Sequence, residues 1–247
     1  MENLVLFEII VFFGAGLAHG ILGFGFPMVA TPLLSIFLTL KESVLYTLFP
    51  TMIVNANVIK KSGNFREVWQ EYWLLILFVL IGSFIGTNFL IVFYNDAYTL
   101  ILASVILLYL NTGHMKFSLY ESIQKNPKLL MISFGFFSGI VSGLVNIMIP
   151  VLIIYIIESK IPKEKSIIVM NFCFFISKAI QIVIFGIYGS FSSKFLLLMI
   201  PIVTISLIGL FLGLKIRAKL DENLYAKILR LSLWILSCYL IIKFFIK

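Results

Sequence analysis

The chain has 247 residues, 61% of them hydrophobic and 12% charged, with a mean hydropathy of +1.11. Soluble domains average roughly 45–50% apolar and about 25% charged, and the 19 basic and 11 acidic residues here are confined to short stretches between long apolar runs. A soluble domain, a disordered chain and a nucleic-acid binder with a basic face are thereby excluded, which leaves an all-α polytopic membrane protein.

The apolar runs are 3–40, 43–59, 69–93, 97–115, 129–159, 166–188, 194–214 and 224–246. A spanning helix needs about 20 apolar residues, so about eight spans fill a single transmembrane domain over 1–247. The start, Met1-Glu2-Asn3-Leu4, lacks the basic n-region of a signal peptide and is expected to lead into a retained first segment. Cys173 and Cys238 both fall inside apolar runs, so neither a disulfide, a metal cluster nor any cofactor is expected.

The first run is too long for one span and is broken at Gly23-Phe24-Gly25-Phe26-Pro27. Gly16, Gly20 and Gly23 recur at helical spacing and allow close backbone packing. Gly23 and Gly25 permit a break, and Pro27 suits the first turn of a new helix. A helix that starts inside the membrane turns free N–H groups and a positive dipole end inward, which predicts an anion site. The plainer alternative is close packing and a kink. His19 is a candidate for proton coupling, against the commoner role of a neutral buried histidine. Glu8 lies within two turns of the terminus and can reach the interface.

In the second run Thr47, Thr51 and Asn55 fall four apart and can donate to an anion or bind a neighbouring helix. Asn57 lies off that face beside Lys60-Lys61. Trp69, Tyr72 and Trp73 open the third run as an interfacial belt. His114, beside Lys116 at the end of the fourth, reads as solvated. The fifth run is again overlong, from Gly139 through Gly143 to a break near Asn146 and a second helix start at Pro150. The sixth carries Asn171, Lys178 and Gln181 on one helix face. A lysine in mid-membrane costs about 2.5–3.5 kcal/mol on insertion scales. It reads as the counter-charge of an anion, with structural pairing or snorkelling as the alternative.

The net charge of +8 then reports topology. If both long runs cross once, basic residues divide equally between the two sides. If each returns to its starting side, loops 60–68, 113–128, 158–165 and 215–230 collect 14 of them, against Lys41, Lys194, Lys243 and Lys247 opposite. The second arrangement places those loops in the cytoplasm and both termini outside. A shift of 123 residues superposes Gly16 on Gly139, Gly20 on Gly143, Pro27 on Pro150 and Asn55 on Lys178. Two five-segment halves, 1–115 and 129–247, joined by a cytoplasmic linker 116–128, would form an inverted repeat with the substrate at its interface.

Gly23 through Leu34, together with Gly143-Leu144-Val145-Asn146, Pro150 and Tyr155, resembles the two half-signatures of the sulfite exporter TauE/SafE family, also called the toluene-4-sulfonate uptake permeases. The chain departs from many members in having Gly25-Phe26-Pro27 where they carry three glycines. The resemblance implies a secondary transporter of sulfite, sulfoacetate or a related sulfonate across the cytoplasmic membrane, with no nucleic-acid partner. Gly23, Gly25, Pro27, Thr51, Asn55, Asn146, Pro150, Asn171, Lys178 and Gln181 are the expected substrate-binding residues. The competing readings are an organic-acid transporter or anion channel of the same fold, a membrane-embedded enzyme, and a non-transporting subunit. An enzyme is disfavoured because only His19, Ser142 and Ser177 are scattered through the core and no catalytic set emerges.

Overall fold

A computed structural model describes residues 2–62, 65–111, 120–217 and 222–246. His114, Lys116, Lys247 and the parts of the linker and basic loops at 112–119, 63–64 and 218–221 lie outside the described residues. The described chain is helical and contains no strand. In order, the helices are α1 (Glu2–Leu22), α2 (Phe26–Leu34), α3 (Leu40–Ser62), α4 (Phe65–Val92), α5 (Tyr98–Asn111), α6 (Tyr120–Lys125), α7 (Pro127–Val145), α8 (Ile149–Glu158), α9 (Lys163–Ile187), α10 (Ser193–Arg217) and α11 (Glu222–Ile246).

Among the described residues five helices are long and apolar enough to cross a membrane: α4, α7, α9, α10 and residues 229–246 of α11. α3 has the length but carries Thr47, Thr51, Asn55 and Asn57, which lower its apolarity. Each overlong run is two helices. The first breaks at Gly23–Gly25 and the second at Asn146–Met148. Gly23 and Gly25 have φ of 85° and 100°, and Asn146 has φ of 67°. Glycine adopts that region freely, and asparagine is among the few other residues that do. α1 is about 32 Å long, whereas α2 and α8 are only about 14–15 Å and turn back through part of the core. α6 is a short helix inside the expected linker. α4 bends at Tyr72, where φ −112° and ψ 16° leave the helical region, and Trp69 and Trp73 flank the bend, half-exposed.

Two glycine seams organise the packing, α4 against α7 and α1 against α10. A Cβ on Gly82 would stand 2.1 Å from Phe136 O, and one on Gly139 would stand 2.3 Å from Val79 O. In the other seam a Cβ on Gly16 would stand 2.2 Å from Ser206 O, and one on Gly209 would stand 2.3 Å from Phe13 O. Only glycine lets these backbones touch. The remaining large contacts are α3 and α4 on α9 and α5 on α11.

The helix ends sort into two groups. At one end lie Ser35, Thr39, Tyr94, Asp96, Thr99 and Lys243, around a cavity of about 620 Å³. There Lys243 Nζ donates to Ser35 O at 2.9 Å and Ile36 O at 3.0 Å, answering the carbonyls at the end of α2. At the other end Lys165 pairs with Glu67 at 2.9 Å and with Glu71, and Lys160 lies over the Tyr120 ring.

The seams predict a sharp contrast between glycines. Gly82→Val should destabilise the protein by at least about 3 kcal/mol, since the obstruction is backbone and cannot move aside. Gly14→Ala, with nothing within 4 Å, should leave the thermal melt in detergent unchanged. Equal melts for the two variants would refute the seam.

Candidate functional site

α9 places one polar face against both helix breaks. Asn171, Ser177, Lys178 and Gln181 are all fully buried. Seven residues, about 10 Å of helix, separate Asn171 from Lys178, and the two side chains reach different breaks.

At the first break Asn171 Nδ2 donates to Gly23 O and Ile167 O, both at 2.7 Å. Its Oδ1 lies 3.2 Å from His19 Nε2, while His19 Nδ1 accepts from the Phe26 amide at 3.3 Å. Both ring nitrogens are therefore engaged, and the bonds define a neutral imidazole with its proton on Nε2. His19 does for α2 what an N-cap side chain does, reaching across from α1. Gly25 precedes the helix, with no side chain to cap it.

That arrangement corrects the expectation of free N–H groups at Pro27. Phe26 donates to His19, Pro27 has no amide hydrogen, and Met28 and Val29 donate to Gly25 O at 3.0 and 3.3 Å. The first turn of α2 is satisfied from within. Gly23, Gly25 and Pro27 are buried and shape the break.

At the second break Asn146 is the centre. Its Nδ2 donates to Thr31 Oγ1 and Thr47 Oγ1, each at 2.6 Å, which ties α2 and α3 to the end of α7. Its Oδ1 accepts from Lys178 Nζ. Lys178 also donates to Gln181 Oε1 at 2.7 Å. Gln181 Nε2 in turn donates to Ser177 Oγ at 3.0 Å and Ser142 O at 3.2 Å. Ser177 Oγ stands 2.8 Å from both Ser142 Oγ and Ser83 Oγ. α8 starts beside this cluster with no side-chain cap and Pro150 in its first turn. Its amides at Ile149 and Val151 have no intrahelical acceptor.

Thr51 and Asn55 continue the α3 stripe below Thr47. Both are fully buried. Asn55 Nδ2 donates to Thr51 O at 2.6 Å, whereas Asn55 Oδ1 and Thr51 Oγ1 have no hydrogen-bond partner. Buried polar atoms are rarely left so.

The structure thus brings Asn146, Lys178 and Gln181 together, with Pro150 next along the chain, and sets Asn171 with His19, Gly23 and Phe26 in a second cluster. The sequence reading missed Thr31 and Ser83, and weighed Ser142 and Ser177 only as scattered hydroxyls. Their one signal was a small polar residue facing a glycine seam or a proline-bounded short helix. Among the described residues no group of His, Cys, Asp or Glu could hold a metal ion.

A family model described as Sulfite exporter TauE/SafE matches residues 8–240. No curated protein and no solved structure matches the chain.

The His19 cap is open to direct test. His19→Ala should cost about 1–2 kcal/mol, the usual worth of an N-cap bond. His19→Asn, whose Oδ1 can take the place of Nδ1, should recover most of that in a detergent melt. If both variants melt like the native protein, His19 does not cap α2.

Proposed function

The chain belongs to the sulfite exporter TauE/SafE family, and from that premise we propose that it is a secondary transporter moving a small sulfur oxyanion or sulfonate by alternating access. The family is one of multi-pass membrane transporters rather than enzymes, so the chain works in a lipid bilayer on a small-molecule substrate. The observation that carries the finer reading is Lys178, a fully buried cation whose acceptors are the neutral amide oxygens of Asn146 and Gln181. Such a cation, in low dielectric and without a counter-charge, favours an anion beside it.

In this reading the anion lies between Lys178 and the start of α8. An ammonium has three N–H groups, and two are spent on Asn146 and Gln181. The third, with the amides of Ile149 and Val151 beside Pro150, supports binding of the substrate oxygens. Asn146 and Gln181 hold the ammonium in place, and Thr51 and Asn55 line the way along α3. Gly23, Gly25, Pro27 and Asn171 form the opposing wall. The cluster is closed to solvent, as an occluded intermediate of alternating access would be.

Several observations support two inverted repeats, 1–115 and 129–247. α1 packs on α10 as α7 packs on α4, each through glycines; Gly16 and Gly20 of α1 lie 123 residues before Gly139 and Gly143 of α7, and positive φ at Gly23 and Asn146 falls at the same spacing. The first helix of each half then completes the seam of the other, so the two halves could rock about a shared site. The distribution of basic residues supports a cytoplasmic-membrane location, with the Lys165 end inside and the Lys243 end outside.

The test is a thermal-shift panel on the purified protein with sulfite, sulfate, thiosulfate, sulfoacetate, taurine, acetate and chloride. A sulfur oxyanion or sulfonate should stabilise it, and Lys178→Ala should weaken that ligand at least about 100-fold, as for a lost buried charge contact. Stabilisation by acetate alone would move the substrate to organic acids. Unchanged affinity in the variant would refute the site.

A further inference from the structure

We propose that Lys178 takes up a proton with each anion, so that the loaded site is electrically neutral and the protein couples anion transport to protons. This rests on the reading of Lys178 as the anion's counter-charge, and adds what happens to that charge when the anion leaves.

The argument is one of charge balance inside the helix packing. Among the described residues no Asp or Glu is buried. The groups that touch Lys178 Nζ are Asn146 Oδ1 and Gln181 Oε1, and neither can change its charge. Neither can turn away easily, because Asn146 is held by Thr31 and Thr47 and Gln181 by Ser142 and Ser177. Without an anion the ammonium is an uncompensated buried ion, and release of its proton to water removes that cost. An anion reverses the balance, and the amine recovers a proton from solvent. The same amide oxygens accept from an amine as from an ammonium, so the shell survives both states.

The ionisable groups on the helices packed against α9 do not offer another carrier. On α3 the charged residues are Lys41, Glu42, Lys60 and Lys61, on α4 Arg66, Glu67 and Glu71, on α7 Lys128, and on α8 Glu158. All lie within two turns of a helix end. Tyr46 of α3 packs on Phe195, and Tyr155 of α8 packs on Phe134. Tyr72 of α4 lies 5.7 Å from Lys165, about 20 Å along α9 from Lys178. Lys163, Glu164 and Lys165 start α9, and Cys173 is buried among core hydrophobics. His19 touches Asn171 across the first break, but a proton on its Nδ1 would displace the Phe26 amide.

On loading, one anion and one proton enter together, the proton going from water to the Lys178 amine. On release both go to the other side, and the empty site returns uncharged. For a monovalent anion neither crossing carries net charge.

The measurement is isothermal titration of the purified protein in detergent with methanesulfonate, whose charge does not change with pH, in buffers of different ionisation enthalpy. Close to one proton should be taken up per anion bound. Affinity should fall about tenfold per pH unit wherever the empty site is deprotonated. Lys178→Arg, whose guanidinium keeps its charge, should bind without proton uptake and without that pH dependence. Tight binding by the native protein with no proton uptake and a flat pH profile overturns the coupling and leaves the anion site standing. If neither methanesulfonate nor acetate binds at any pH, the anion site falls and the coupling with it.

Discussion

A buried lysine surrounded by neutral amides governs the layout of this protein. Placing a lysine at mid-membrane costs about 2.5–3.5 kcal/mol on insertion scales, and the helices around Lys178 are arranged to hold it. Asn146 reaches it because α7 ends there with a positive φ. α7 is held at that place by its glycines, which lie flush against α4. Ser83 of α4 joins the same network through Ser177. α2 and α3 are attached through Thr31 and Thr47. Each of these contacts is a modest hydrogen bond, yet together they fix the position of one buried amino group.

The two helix breaks look alike in sequence and differ in chemistry. Each has a residue of positive φ, a proline in the first turn of the short helix and a glycine-rich helix before it. At the first, His19 closes the helix start that follows. At the second, the equivalent position by the 123-residue shift is Ser142, which turns instead to Ser177. The short helix α8 has no side-chain cap and has Lys178 for a neighbour. In the proposed inverted frame the duplicated architecture supplies two helix starts, of which one is capped by a side chain and the other is not.

Much of this was legible because hydropathy and glycine spacing report backbone facts. The breaks at Gly23–Gly25 and Asn146–Met148 and the burial of Lys178 all follow from residues a few positions apart. The partners were not legible. Ser83, Ser142 and Thr31 are small and weakly polar, and what they bond lies 35 to 115 residues away along the chain. The helical periodicity that joined Asn171 to Lys178 was correct about the face, but one face of a long helix can serve two neighbours. The closed start of α2 was hidden for a similar reason, since an N-cap is sought at the residue before a helix and this one comes from the preceding helix.

The seams also constrain how the protein is made. Gly16 packs against Ser206, 190 residues later, so α1 meets its tightest partner only after α2 to α9 have been made. Until then its glycine face is bare to lipid, and the first five helices lack the surface they finally fit. The α4–α7 seam can close much earlier, because those helices are separated by only two others. Assembly from the middle of the chain outward follows, with α1 waiting in the bilayer for α10. A ribosome stalled before residue 193 would leave that first helix without its mate.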